Sequence, residues 1–291
     1  MSIHFNIADF LIRIEGIDAY CLKHPLLDLF RVQKDSKSPD LIIRFKRSDI
    51  FNRNFFGNLL FENEGQWIIY KWRKSLFFYD SFNFLRYGCK RIISRTEGSF
   101  KWDFYLEGCQ GFFGFKNPFL YPLGQLLLLD QLGRTFGVSV HAAGIETRRE
   151  EGFIFCGASG CGKTTISRLW VRHQAGDSLH DDRIIIRKIG EQILIYGCPW
   201  STREPDLVSN VKVTLEKIFF IQPTEEKNGL RRLSSKESFL RLLQNAYYPF
   251  WDKEAIDTSL KLLDHISKKV ECWELKFVPS SQLIDLIEKM M

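Results

Sequence analysis

The sequence predicts a mixed α/β protein, α+β overall, with a β-rich module over residues 1–118 and a second module over residues 119–291. Three observations support this fold class. Short runs of β-branched and aromatic residues, separated by breakers, dominate the first module. From residue 138, strand-like and helix-like segments alternate, as is typical of α/β sheets. From about residue 235, apolar residues recur at helical spacing, so we expect a helical carboxy-terminal tail.

Length and composition are those of a globular protein. The chain has 291 residues, which at about 150 residues per domain suggests two domains or one large one. Its 45% hydrophobic residues can build a core, which excludes an intrinsically disordered chain. Its apolar stretches, such as residues 126–129, fall far short of the ~20 residues that span a bilayer. The first residues carry charges and no secretory cleavage site, so we expect neither a secretory signal nor a membrane partner.

The charge of the chain indicates which partners to expect, and its cysteine content indicates the redox state of its thiols. The net charge is +6 and the isoelectric point is about 8.9. Acidic and basic residues are interspersed, without the long basic block of a nucleic-acid-binding arm, so we expect no nucleic-acid partner. The seven cysteines include no CxxC pair, and a chain of this length can build a core without disulfides. We therefore expect reduced thiols and a cytoplasmic protein.

The first module is predicted to be an antiparallel, largely β structure. Strands are expected at residues 41–45, 66–72 and 75–79, where β-branched and aromatic residues cluster between turn-forming residues. The module contains no catalytic motif, and its many aromatic residues are interpreted as core and sheet surface. Pro118 and Pro122 mark its end.

The second module begins with a predicted helix over residues 123–136, which ends before Gly137. A strand over residues 138–146, a turn, and a second strand over residues 152–156 follow. A glycine-rich loop then leads into a helix over residues 163–173. This succession is typical of a nucleotide-binding sheet.

The glycine-rich loop is the strongest signal in the sequence, because residues 157–164 match G-x-x-x-x-G-K-[ST] at every fixed position. Glycines let the backbone turn its N–H groups onto phosphate oxygens, and the following helix directs its positive dipole end at them. Lys163 supplies a charge for the β and γ phosphates, and the Thr164 hydroxyl reaches Mg²⁺. The residues assigned to ATP binding are Gly157, Ala158, Ser159, Gly160, Cys161, Gly162, Lys163, Thr164 and Thr165.

Two adjacent carboxylates, Asp181 and Asp182, follow the loop lysine by 18 and 19 residues. This distance allows one helix and a return to the neighbouring strand, where a metal-binding carboxylate is needed. Side chains of adjacent residues on an extended segment point in opposite directions, so one can hold Mg²⁺ while the other handles a proton. The sequence leaves open which carboxylate has which role. We assign the metal to Thr164 and Asp182, and we count both carboxylates among the catalytic residues.

The chain resembles the catalytic domain of bacterial HPr kinase/phosphorylase and its relatives, which share a core with ATP-dependent phosphoenolpyruvate carboxykinase. Three stretches carry the resemblance: His-Ala-Ala-Gly-Ile-Glu over 141–146, Gly-Ala-Ser-Gly-Cys-Gly-Lys-Thr-Thr over 157–165 and His-Asp-Asp over 180–182. A fourth, Tyr-Gly-Cys-Pro-Trp-Ser over 196–201, is similar to a segment of smaller HPr-kinase-like enzymes associated with peptide biosynthesis, including lasso-peptide kinases. The resemblance implies that one of Asp181 and Asp182 is a general base toward a serine-type hydroxyl, that the other binds Mg²⁺, and that His141 lies near them.

Several secondary candidates keep two interpretations each. Arg203 is predicted to hold phosphate or an acidic acceptor, although a loop arginine is usually solvated. Trp200 forms either a wall for the acceptor or a packed turn, and Glu146 either points at the site or ends its strand exposed. His180 is expected to face away from Asp181 on a strand. Cysteines flank the loop at positions 156 and 161, where a redox switch is the alternative to buried packing.

These residues together predict an ATP- and Mg²⁺-dependent kinase that phosphorylates a serine-type hydroxyl on a peptide or small protein. Its predicted catalytic residues are Asp181, Asp182, His141, Lys163 and Arg203. Two alternatives remain open: a kinase of a small molecule such as free serine, and a nucleotide-binding regulatory protein without transfer activity. The β-rich module would recognise the acceptor or act as a scaffold. The sequence also leaves open whether the chain forms a homo-oligomer.

Overall fold

A computed structural model describes residues 2–22, 24–33, 37–46, 57–108, 116–200, 204–280 and 282–289. Contacts divide the chain into two compact units. The first comprises Met1–Leu128 with Pro199–Ser201, and the second comprises Leu129–Cys198 with Thr202–Met291.

The described residues of the first unit form one nine-stranded sheet. Its strands are β1 (Ser2–Ile7), β2 (Phe10–Glu15), β3 (Arg31–Val32), β4 (Leu41–Lys46), β5 (Asn58–Asn63), β6 (Trp67–Trp72), β7 (Ser75–Asp80), β8 (Lys90–Thr96) and β9 (Lys101–Glu107). A 3-10 helix at Ala19–Leu22 and the helices α1 (Pro25–Asp28) and α2 (Ser81–Tyr87) connect them. The strand order is β3-β1-β2-β4-β9-β8-β7-β6-β5, and the pairs β2–β4 and β4–β9 are parallel whereas the others are antiparallel.

Arg91 links this sheet to the segment around Asn117 and forms a buried ion pair. Arg91 on β8 is completely buried and bonds Asp80 Oδ2 at 2.5 Å. Its other terminal nitrogen donates to the Asn117 carbonyl at 2.7 Å. A buried charge costs free energy unless it is paired and hydrogen-bonded, and Asp80 and the Asn117 carbonyl provide these partners for the two terminal nitrogens of Arg91.

The elements from residue 123 onwards form the rest of the fold. The strands are β10 (Gly137–Val140), β11 (Ala142–Thr147), β12 (Glu151–Cys156), β13 (Gly176–His180), β14 (Ile184–Ile189), β15 (Gln192–Tyr196), β16 (Lys212–Pro223), β17 (Gly229–Arg232), β18 (Ala246–Tyr247) and β19 (Glu271–Phe277). The helices are α3 (Leu123–Gly133), α4 (Lys163–Arg172), α5 (Ser235–Asn245), α6 (Lys253–Lys269) and α7 (Gln282–Glu288), with a 3-10 turn at Pro205–Leu207.

Strands of the second unit form one mixed sheet in the order β13-β11-β12-β16-β15-β14-β10-β18, and β19 pairs with β16 and β17. The long strand β16 is parallel to β12 on one edge and to β19 on the other. All other pairings are antiparallel. The sheet therefore has three parallel strands at its centre, β12, β16 and β19, and antiparallel pairs elsewhere.

Helices cover both faces of this sheet. On one face, Ile166 and Trp170 of α4 and Leu283 of α7 pack with strand residues such as Phe155 and Phe219. On the other face, residues of α5 and α6, among them Leu242, pack in a second apolar cluster. The helix α4, which follows the glycine-rich loop, is thus held against the sheet by its apolar side.

The predicted mixed α/β fold is confirmed, with four corrections in detail. The first module is not wholly antiparallel as predicted, because β4 pairs in parallel with both β2 and β9. The expected strand 138–146 is two strands, β10 and β11, which are interrupted at His141. The expected helix 123–136 ends at Gly133. The tail is not entirely helical, because β19 lies between α6 and α7 and completes the parallel part of the sheet. No helix within the described residues is both long and apolar enough to cross a membrane.

Cysteine pairing also departs from the expectation of reduced thiols. Five described cysteines are free, at positions 21, 156, 161, 198 and 272. Cys89, however, is disulfide-bonded. A disulfide depends on which residues the fold brings together, and spacing along the sequence does not predict that.

Candidate active site

The glycine-rich loop connects the buried strand β12 to the helix α4, as its sequence context predicts. Ala158, Ser159 and Gly160 at its crown are exposed to solvent. The N-cap residue of α4 is Gly162, which offers no side chain to the first N–H groups of the helix. The helices α5 and α6, by contrast, have side-chain caps. The N-cap residue thus provides no side chain to cover the first amides of α4, and the positive end of the helix dipole lies there, an arrangement that suits an anion.

Lys163 is held in place by the loop itself. Its side chain is almost completely buried, and its ammonium group donates to the carbonyl oxygens of Gly157 and Ala158, each at 2.9 Å. An ammonium has three protons, so one remains for an oxygen of a bound phosphate. The carbonyl groups of the loop therefore hold the lysine inside it.

Gly162 is required by its backbone conformation and by its surroundings. Its φ is +111°, a value that residues with a Cβ rarely adopt. A Cβ built at this position would lie 2.4 Å from Cε1 of Phe277, the last residue of β19. The loop therefore packs against a wall that leaves no room for a methyl group.

We expect Gly162→Ala to lower both the free energy of unfolding and the affinity for ATP, because the strained φ costs about 1–3 kcal/mol and the Phe277 ring must move as well. Gly160→Ala is the matched control, since Gly160 has a φ of +81° but a Cβ added there would meet no atom within 4 Å. Thermal unfolding with and without ATP compares them. Equal losses in both variants would contradict a role for the Phe277 wall.

Asp181 contacts Thr164, the threonine of the glycine-rich loop. It is 3% exposed, and its Oδ2 accepts a hydrogen bond of 2.8 Å from the Thr164 hydroxyl. A threonine hydroxyl and a carboxylate at this distance form a pair of hard oxygen donors, the type of ligand that Mg²⁺ prefers. The predicted metal pair was Thr164 and Asp182, but Asp181 is the carboxylate that contacts Thr164.

Asp182 turns to a different partner. Its Oδ1 lies 3.0 Å from His141 Nε2, and its side chain is 46% exposed. Within the described residues, Oδ2 of Asp182 has no hydrogen bond. The hydrogen bond from His141 is the main cause that lowers the pKa of Asp182 to about 2, with Arg183 and Lys163 adding positive charge nearby. The carboxylate is therefore ionised at neutral pH and offers one oxygen to solvent.

The sheet explains why these residues meet. Ala142 of β11 pairs with Cys156 of β12, so His141 lies beside the start of the loop. The strand β13, which ends at His180, pairs with the other edge of β11. The sequence predicts Asp181 and Asp182 on the strand next to β12. In the structure, β11 lies between β12 and β13, the strand that leads to this pair. The turn after β13 nevertheless reaches the loop through Thr164.

His180 does not simply face away, as the sequence suggests. It is completely buried, and its Nδ1 accepts hydrogen bonds from the backbone amides of Asp182 at 3.0 Å and Arg183 at 3.2 Å. The ring therefore folds back over the turn that carries both carboxylates. This local arrangement is a contact that strand alternation does not predict.

Two further features surround the turn. The Arg183 guanidinium lies 4.5 Å from the ring centroid of Tyr247 on β18, and it places a cation beside Asp182. Gly197, in the Gly-Cys-Pro-Trp segment, lets the backbone approach closely, because a Cβ there would lie 2.1 Å from the Ser209 carbonyl and 2.6 Å from that of Leu179. Sequence reasoning missed Arg183 and Tyr247, which are far apart in the chain.

Other candidates lie elsewhere. Arg203 is outside the described residues. Glu146 pairs with Gly152 near one end of β11, whereas Ala142 lies at the other end of this strand. At ~3.3 Å per residue, Glu146 is about 13 Å from Ala142, so it does not lie beside the carboxylate pair. Burial, with Asp177 and Glu150 nearby, raises the pKa of Glu146.

Trp200 is 4% exposed and lines a cavity of about 50 Å³ within the first unit, so it packs rather than offering an open wall.

The loop cysteine is predicted to be unreactive. Burial raises the pKa of the Cys161 thiol, so its thiolate fraction at pH 8 is below that of a free cysteine. We expect iodoacetamide at pH 8 to alkylate Cys161 more slowly than it alkylates glutathione, as measured by mass spectrometry. Unfolding in guanidinium should remove the difference. Alkylation as fast as that of glutathione in the native protein would support the redox-switch alternative instead.

No family model matches the chain, and no curated protein matches it. Among solved structures, the Hpr(Ser) kinase/phosphatase from Coxiella burnetii is similar over 52% of this chain and 92% of its own, with 13% sequence identity and a TM-score of 0.30.

Proposed function

We propose that the chain is an ATP- and Mg²⁺-dependent kinase that transfers the γ-phosphoryl group to a serine-type hydroxyl on a peptide or small protein. One observation supports this most strongly: two adjacent carboxylates serve different partners beside a phosphate loop. Asp181 bonds the loop's Thr164, whereas Asp182 bonds His141 and keeps one oxygen available. A protein that only binds a nucleotide needs the first carboxylate but not the second.

The donor side of the reaction is assigned to the loop. Backbone amides of the loop and of the first turn of α4 bind the phosphate oxygens, and Lys163 adds its charge at the β and γ phosphates. The Thr164 hydroxyl and the Asp181 carboxylate would hold Mg²⁺, because both are oxygen donors already within hydrogen-bond distance of each other. When bound, the metal neutralises charge on the phosphates.

The acceptor side is assigned to Asp182 and His141. The available oxygen of Asp182 accepts a hydrogen bond from the acceptor hydroxyl and orients it for in-line attack. A carboxylate with a pKa of about 2 is a weak base, so Asp182 first orients the hydroxyl and accepts its proton only late in the transfer, as the oxygen bonds to phosphorus. Phosphoryl transfer passes through a loose transition state in which positioning and charge dominate, and an orienting carboxylate suits it. His141 holds the carboxylate in place.

A polypeptide acceptor is favoured over a small molecule by exposure. The Asp182 side chain is 46% exposed and the crown of the loop is open, so a hydroxyl on a chain can approach. An enclosed cavity would favour a small acceptor such as free serine. The first unit would then recognise the acceptor or act as a scaffold.

Transfer from labelled ATP tests the proposal. The purified protein is incubated with γ-labelled ATP, Mg²⁺ and either serine-containing peptides or free serine, and products are identified by mass spectrometry. We expect label on a peptide serine. Label on free serine alone would favour the small-molecule alternative, and ATP binding without transfer to any hydroxyl would favour the regulatory one.

A further inference from the structure

We propose that His180 is a positioning residue whose ring nitrogen Nδ1 holds the turn that carries Asp181 and Asp182, so that the two carboxylates face different partners. This inference deepens the proposed function and rests on it for its consequence in catalysis. Its structural part stands on the hydrogen bonds of His180 alone.

The turn lacks the support that a sheet normally provides. The strand β13 ends at His180 and β14 begins at Ile184, so three residues between them are outside the strand ladders. Two of their three backbone amides, those of Asp182 and Arg183, donate to His180 Nδ1. Both residues are half-buried, and the completely buried imidazole of His180 provides the acceptor that a strand ladder would otherwise supply.

These hydrogen bonds define the protonation of the ring. A nitrogen that accepts two N–H groups carries no proton itself, so the ring proton is on Nε2 and His180 is neutral. His180 Nδ1 also lies 3.7 Å from Asp181 Oδ1, but a neutral ring with an unprotonated Nδ1 forms no ion pair across this distance. The ring therefore acts as an acceptor, and its effect on the carboxylates passes through the backbone.

As a consequence, the side chains of Asp181 and Asp182 bond different partners. Asp181 reaches Thr164 at 2.8 Å, and Asp182 reaches His141 at 3.0 Å. Both distances depend on the backbone between His180 and Arg183. If the two amides lose their acceptor, the turn relaxes and at least one carboxylate moves from its partner.

Two substitutions separate this role from packing. His180→Asn keeps an acceptor, because the Asn Oδ1 is joined to Cγ as Nδ1 is, although the side chain is smaller. His180→Phe keeps the ring volume but removes the acceptor. Phosphoryl transfer and ATP affinity are measured for both, together with hydrogen exchange of the Asp182 and Arg183 amides by NMR.

We expect His180→Phe to lower kcat by about 10²-fold, as misplacement of reacting groups by ~1 Å does. His180→Asn should recover most of this loss, and the ATP affinity should change little in either variant. The Asp182 and Arg183 amides should exchange slowly in the wild type and in His180→Asn, and rapidly in His180→Phe. Equal transfer rates and equal protection in His180→Phe and the wild type would overturn the proposal, as would equal loss in both variants.

The amide measurement also separates this inference from the proposed function. If the wild type transfers no phosphoryl group but the amides behave as expected, the kinase assignment fails and the positioning of the turn stands. Should His180→Phe not fold, the ¹⁵N spectrum of the wild-type ring decides. An unprotonated Nδ1 coupled to the Asp182 amide nitrogen supports the proposal, and a protonated Nδ1 overturns it.

Discussion

Asp182→Asn is expected to lower kcat for phosphoryl transfer by about 10²- to 10⁴-fold, the range that a positioned proton acceptor contributes. Asn keeps the shape of the side chain and a hydrogen bond to His141, but it cannot take a proton. The Kd for ATP should remain that of the wild type, because Asp182 contacts His141 rather than Thr164. Steady-state kinetics and equilibrium ATP binding check both parts.

Two matched variants sharpen this prediction. Asp181→Asn should raise the Mg²⁺ concentration needed for half-maximal activity, because Asp181 is the carboxylate on Thr164. Asp177→Asn changes an exposed carboxylate on β13, the strand that precedes the turn, and should leave both quantities unaltered. If Asp182→Asn shifts the Mg²⁺ dependence while Asp181→Asn does not, the two roles are reversed.

Lys163→Met is expected to weaken ATP binding by about 10- to 150-fold, since a hydrogen bond to a charged group is worth about 1.5–3 kcal/mol. Methionine fills the volume of the buried stem but removes the ammonium group. The carbonyls of Gly157 and Ala158 also lose their donor, so the loop itself becomes less ordered. Calorimetric titration with ATP measures the change.

Lys227→Met provides the control for Lys163→Met, because Lys227 is an exposed lysine outside the loop. It should leave the Kd for ATP unchanged. Transfer by Lys163→Met should be lost at ATP concentrations that saturate the wild type. An unchanged Kd in Lys163→Met would show that the loop lysine does not meet the nucleotide.

The glycine-rich loop could be predicted from sequence because its determinants are local. A strand, a run of glycines, a lysine and a helix follow one another within residues 151–172, and the structure has these elements in this order. The same holds for the strands β6 and β7, whose β-branched and aromatic residues lie between turn residues.

The partners of the carboxylates could not be predicted because they depend on contacts between distant residues. Adjacent aspartates identify a pair, but only the sheet order decides which of them meets Thr164. The break at His141 follows from pairing as well, since β10 pairs with β14 whereas β11 pairs with β12 and β13. Local propensity does not distinguish one long strand from two short ones.

Strand β19 was missed for a related reason. Its residues lie between two helices, and it is a strand because β16 offers it a parallel edge. Such tertiary effects routinely override local propensity. Phe277 at its end then becomes the wall beside Gly162, a contact between residues 115 positions apart in the sequence.

A crystal structure of the protein with Mg²⁺ and a non-hydrolysable ATP analogue tests the central claim most directly. The account predicts the phosphates inside the loop against Lys163, the metal at Thr164 and Asp181, and the available oxygen of Asp182 facing the γ-phosphorus. A nucleotide bound elsewhere, or a bound γ-phosphate with Asp182 turned away from it, would contradict the account.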